Sequence, residues 1–184
     1  MPSQTKHERG MSVHEFKNKK TIIVGEVNTG KTTYLSEIIN EFIKEGEKDI
    51  TLIDMAPEET NGIGGKMNIE AGDVIRYYTA PIVAPRLMGS NTDEVETLAK
   101  QNAELIEKIF LKYLKNPGKA LFVNDISLYL QAGALYELLS WLNSTPTVIM
   151  NGYYGSSLGG GELGRRERKN MQSLMERCDR IIQI

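Results

Sequence analysis

The eight residues Gly25-Glu26-Val27-Asn28-Thr29-Gly30-Lys31-Thr32 constrain this chain more than any other stretch. They fit the spacing G-x-x-x-x-G-K-[ST], which requires a strand before it and a helix after it. Thr21-Ile22-Ile23-Val24 supplies four residues of strand character. Leu35, Ile38, Ile39, Phe42 and Ile43 then fall at helical intervals. Glycine lets the backbone curl so that consecutive N–H groups face inward. The start of the helix adds amides without intrahelical partners and the positive end of its dipole. Lys31 contributes a point charge, and Thr32 a hard hydroxyl oxygen. With 17 glycines in 184 residues the pattern could arise from composition alone. The strand before it and the helix after it argue against that.

The stretch resembles the Walker A loop of the P-loop NTPases. The resemblance is carried by Gly25 to Thr32 and points to the ATPase-type (RecA-like) or small nucleoside-triphosphatase branch. It implies a three-layer α/β fold, a mostly parallel sheet with helices on both faces. It implies that Gly25, Val27, Asn28, Thr29, Gly30, Lys31, Thr32 and Thr33 bind a nucleoside triphosphate. Lys31 would reach the β- and γ-phosphates in a catalytic role. Thr32 would be a ligand of Mg²⁺ bridging the same phosphates.

Such a site needs an acid opposite the loop. Leu121-Phe122-Val123-Asn124-Asp125 resembles the Walker B strand, with Asn124 replacing the apolar residue expected before the acid. In one register Asp125 is the catalytic and metal-binding acid. In the other, Asn124-Asp125 takes the place of the Asp-Glu pair of the ATPases, and Asp125 orients water. The first is preferred. Asp54 also ends a strand, where it reads either as an acid supporting the γ-phosphate region or as a turn residue.

Along the chain, residues 1–20 are polar and basic, predicting a loose tail with a short helix near Val13 to Phe16; residues 21–184 form one domain. The first helix should stop near Gly46. Ile50–Asp54 is a second strand, Met55–Met67 a loop rich in Pro and Gly, and Val74–Tyr78 a third strand. Pro81 and Pro85 predict an extended, irregular segment from Thr79 to Gly89. The longest helix spans Thr92 to Lys115, capped by Asn91 with Glu94, and carries Asn102 as a satisfied buried amide. Ala120–Asp125 is a strand, Ala134–Leu142 a helix and Thr147–Met150 a strand. A glycine-rich loop from Gly152 to Gly164, a helix from Arg165 to Cys178 and a strand from Arg180 to Ile184 complete the order. Strand and helix alternate, so the sheet should be parallel.

The glycine-rich loop reads as a mobile lid that swings Arg165, Arg166 or Arg168 onto phosphate, Arg165 being the catalytic candidate. It reads equally as a flexible surface loop. The N-K-x-D motif of switch GTPases is absent after the middle strands, which favours ATP over GTP. A net charge of −2, from 22 basic and 24 acidic residues, does not favour a protein that coats nucleic acid. Cys178 is the sole cysteine, which fits a reducing compartment. No apolar run reaches membrane-spanning length, and a cytoplasmic location is expected. Three activities fit: an ATPase coupled to a conformational change or a protein partner, a kinase or group transferase with a small-molecule or polynucleotide acceptor, and a non-hydrolysing nucleotide sensor. Each is compatible with a monomer or an oligomer.

Overall fold

A computed structural model describes residues 11–59, 61–69 and 74–184. The chain runs β1 (Lys20–Gly25), α1 (Lys31–Lys44), β2 (Ile50–Asp54), β3 (Ile75–Thr79), α2 (Pro85–Met88), α3 (Thr92–Tyr113), β4 (Ala120–Asn124), α4 (Ser127–Leu130), α5 (Leu135–Leu142), β5 (Thr147–Tyr153), α6 (Gly161–Met175) and β6 (Arg180–Gln183). The six strands make one sheet in the order β3-β2-β4-β5-β1-β6. Every pairing is parallel. The fold is α/β in three layers, as the resemblance implies.

The four central strands read as unbroken apolar runs because both faces are covered. Ile22, Val24, Leu121, Val123, Val148 and Met150 point into a core shared with α3, α4, α5 and α6. The residues between them, including Ile23, Phe122 and Ile149, meet Leu35, Ile38, Ile39 and Phe42 of α1 on the other face. On that side Phe42 and Phe122 pack edge to face, 5.3 Å between centroids.

Helix α1 ends as its glycine signal predicts. Gly46 adopts φ 87°. The Gly46 amide donates to Ile43 O and the Glu47 amide to Phe42 O, which satisfies carbonyls that the helix leaves open.

Three expectations are corrected. Residues 11–20 are not loose, although the short helix expected near Val13 to Phe16 is present: a 3₁₀ turn at Val13–Glu15 seats the buried Val13 and Phe16 in the α1 core. The basic residues Lys6 and Arg9 lie outside the described residues. The segment Thr79–Gly89 contains helix α2, whose first residue is Pro85, a position where a missing N–H costs nothing. Helix α6 starts at Gly161, four residues earlier than its apolar pattern suggests. No described helix is long and apolar enough to cross a membrane.

Candidate functional site

In a parallel sheet, the loops leaving the C-terminal strand ends gather on one edge. Here β1, β2, β4 and β5 deliver the phosphate loop, Asp54, Asn124 with Asp125, and Asn151 to that edge.

The loop from Gly25 to Gly30 curls as its composition requires. Asn28 and Gly30 both have left-handed backbone, φ 57° and 90°. Gly25 is glycine for another reason: a Cβ there would come within 2.0 Å of the Ile184 carbonyl oxygen. Gly30 caps α1 without a side chain, so the first amides of the helix keep their donors for a ligand. Lys31 Nζ donates to the Glu26 carbonyl and, at 3.3 Å, to Thr29 Oγ1. Burial holds its pKa below the ordinary lysine value, against the opposing pull of Asp125 and Glu26.

Glu26 is fastened to the glycine-rich segment. Its carboxylate accepts from the Ser156 amide at 2.5 Å, the Ser157 amide at 3.3 Å and both serine hydroxyls. The Ser157 hydroxyl and then the Ser156 amide hold its pKa down to about 2.

Across the sheet, Asn124 is the hub. Its Oδ1 accepts from the Thr32 hydroxyl at 3.2 Å and from Asn151 Nδ2 at 2.9 Å. Its Nδ2 donates to Asp54 Oδ1 at 2.9 Å. Asp54 is fully buried and also accepts from the Ala56 and Met67 amides and the Tyr77 hydroxyl. It therefore stands behind Asn124 and holds the turn after β2, as expected of a turn residue.

Asp125 follows with φ 60°, a left-handed conformation that aspartate tolerates better than most residues. Its amide donates to Asn151 Oδ1 at 2.6 Å, and Oδ1 accepts from the Ser127 hydroxyl at 2.7 Å. Burial raises its pKa to about 6; the Ser127 hydrogen bond opposes that shift, and Glu167 adds to it.

Most of these groups, though not Gly25, Glu26 or Asp54, line one cavity of about 530 Å³. Val27 to Thr33, Asn124, Asp125 and Asn151 are among its lining residues. Thr32 gives its hydroxyl proton to Asn124 and keeps its oxygen lone pairs, so with the Asp125 carboxylate it offers hard oxygens of the kind Mg²⁺ takes. Among the described residues no cluster of three or more His, Cys, Asp or Glu side chains could hold a metal unaided. A Mg²⁺ ion would complete its shell with phosphate oxygens and water.

The same cavity is also lined by Lys66, Arg86, Gln131 and Glu167, and Glu167 stands close enough to Asp125 to share the Ser127 hydroxyl with it. Glu167 is 2% exposed, pairs with Arg86 and accepts from Gln131 Nε2 at 3.2 Å. Its pKa is raised, chiefly by burial. Lys66 Nζ donates to the Ala56 and Ala80 carbonyls at 2.8 and 3.0 Å. The arginine on this cavity is thus Arg86. Arg165 is exposed and pairs with Glu162; Arg166 bonds Glu96 and the Gln131 carbonyl; Arg168 bonds the Gly155 carbonyl. None of these three lines the cavity.

Sequence reading missed Arg86, Gln131, Asn151 and Glu167. Asn151 carried a usable signal, a polar residue directly after the apolar run Val148-Ile149-Met150. Gln131 and Glu167 carried none, because each follows a helix surface whose packing partners are distant in sequence.

No family model and no curated protein matches the sequence. Among solved structures, the chain is similar to the flagellar accessory protein FlaH from Methanocaldococcus jannaschii. Identity is 11%, the TM-score is 0.45, and the match covers 84% of this chain and 68% of that one.

Proposed function

We propose that this chain is a Mg²⁺-dependent ATP-binding protein and an ATPase. One observation supports it above the rest: the loop residues Val27–Thr32, with the Lys31 ammonium, the Thr32 hydroxyl and the Asp125 carboxylate, line a single cavity. That set matches what a β,γ-diphosphate and a nucleophile beside it require. The loop amides and Lys31 bind the phosphates. Thr32, with Asp125, would hold Mg²⁺, which when bound neutralises charge on the phosphate oxygens. In the other register of the strand-end acid, Asp125 would instead accept a proton from water attacking the γ-phosphorus. Asn151 fixes the Asp125 backbone, and Ser127 fixes its side chain. The preference for ATP over GTP rests on the sequence.

Calorimetry with Mg-ATP tests the reading. Lys31→Ala should weaken binding at least tenfold, since a hydrogen bond to a charged group contributes about 1.5–3 kcal/mol and more than one is lost. Equal affinity in the variant would overturn the assignment. Phosphate release by wild type, abolished in Asp125→Ala, tests hydrolysis.

A second reading, transfer of the phosphoryl group to an acceptor, is favoured by the cavity itself. Besides the phosphate loop it has a second polar wall that phosphate binding alone does not use.

A further inference from the structure

This second wall of the cavity contains a group without a partner. Gln131 is 2% exposed and lines the cavity, yet its Oε1 is buried and finds no hydrogen bond among the described residues. The amide cannot exchange its ends to escape this, because Nε2 is needed as the donor to the Glu167 carboxylate. A small turn of the side chain into the cavity would give Oε1 a donor from a ligand.

Position fixes which part of a bound molecule reaches this wall. Thr32 bonds Asn124, so the γ-phosphate end of a nucleotide in the loop faces β4. Gln131 follows α4, which follows β4, and Arg86 follows β3, two strands further out. Gln131 bonds Glu167, and the Ser127 hydroxyl links Glu167 to Asp125, so the Gln131 wall stands beside the carboxylate expected at the γ-phosphate.

Charge fixes the chemistry. Among the lining residues the cations Lys31, Lys66 and Arg86 are matched by the carboxylates Glu59, Asp125 and Glu167, so the cavity favours neither an added anion nor an added cation. What the wall presents is a mixture: an unpaired acceptor on Gln131, a carboxylate on Glu167 and the remaining donors of the Arg86 guanidinium. Hydroxyl groups both donate and accept, and they satisfy such a wall without adding charge. Leu87 and Leu128 complete the lining with apolar surface for a carbon skeleton.

We propose that Gln131, Glu167 and Arg86 form an acceptor subsite for a neutral polyhydroxyl molecule of sugar or nucleoside size, held with one hydroxyl toward the γ-phosphate of ATP. The inference rests on the second reading above, phosphoryl transfer from bound ATP, and specifies its acceptor. In the transfer step the hydroxyl oxygen bonds to the γ-phosphorus and the bond from that phosphorus to the β–γ bridging oxygen breaks. ADP leaves, and the hydroxyl proton passes to Asp125 and then to solvent.

The test is binding and product together. Ribose, myo-inositol and adenosine are titrated calorimetrically into protein loaded with Mg²⁺ and the β,γ-imido analogue of ATP. The same three are then incubated with Mg-ATP, and phosphorus NMR is followed for a phosphomonoester. At least one probe should bind and yield that resonance. Gln131→Leu should weaken its binding tenfold or more while leaving analogue affinity unchanged. Leu87→Trp starts from a 40% exposed residue, fills the subsite from its rim and should block the probe even if Gln131→Leu fails to fold. Analogue binding with no probe bound, or probe binding indifferent to both variants, overturns the subsite. Probe binding without analogue binding upholds the subsite and overturns the nucleotide reading instead; binding of neither overturns both.

Discussion

Between Thr32 and Asp54 there is room for one acceptor and one donor, and Asn124 supplies both. An aspartate at 124 would set two carboxylates about a hydrogen-bond length apart, in a site where Asp54 is fully buried. Like charges at that range raise the pKa of the pair, so the protein would be destabilised as pH rises through it. Asn124→Asp should therefore cost about 1–3 kcal/mol at pH 7 and less at pH 5 in urea unfolding without nucleotide. Magnesium with nucleotide should offset part of the loss. Glu26 presents the opposite case, a carboxylate whose pKa is held down to about 2 by the two serines. Its contribution is present above the ordinary glutamate pKa and is lost as pH falls from about 4.5 toward 2. Glu26→Gln should flatten that part of the stability profile, measured by thermal melts between pH 2 and pH 5, and leave the rest unchanged.

At the level of elements, the local signals held where they had a local cause. The glycine stop of α1 and the Asn91 cap of α3 are both present, the cap as a 2.9 Å bond from the Glu94 amide to Asn91 Oδ1. The satisfied amide expected at Asn102 also explains how the segment between Pro81 and Pro85 is held. Asn102 Oδ1 accepts from the Val83 amide at 3.1 Å, and Nδ2 donates to the Val83 carbonyl at 2.9 Å. Helix α3 thereby clamps the extended segment that leads into α2 and aims Arg86 at the cavity. Asn102→Ala should destabilise by about 1–3 kcal/mol and speed hydrogen exchange of the Leu87 to Gly89 amides. The short helices α2 and α4 were not legible, since four residues carry too little periodicity to announce themselves. The lid arginines were misleading because α6 begins at Gly161, which commits Arg166 to Glu96 and Gln131.

For the molecule as a whole, the sheet was legible because burial on both faces writes strands as apolar runs. The site was half legible. The phosphate loop lies in one contiguous stretch and Asp125 ends a readable strand, whereas residues 66, 86, 131, 151 and 167 reach the cavity only through the fold. The sheet depends on large side chains at its centre, and Phe122 is the clearest of them, fully buried against Phe42. Phe122→Ala should cost about 3–5 kcal/mol in a single cooperative transition.

The missing methyl group at position 25 has one more implication. Among the described strands β6 pairs with β1 alone, and its following carbonyl nestles against the bare α-carbon of Gly25. Putting even an alanine there would wedge the outermost ribbon away from its neighbour. The substitution looks conservative, but it should unzip the margin of the sheet and distort the anion grip together. Faster amide exchange at Ile181 to Gln183, in step with weakened ATP binding, would reveal that mechanical linkage.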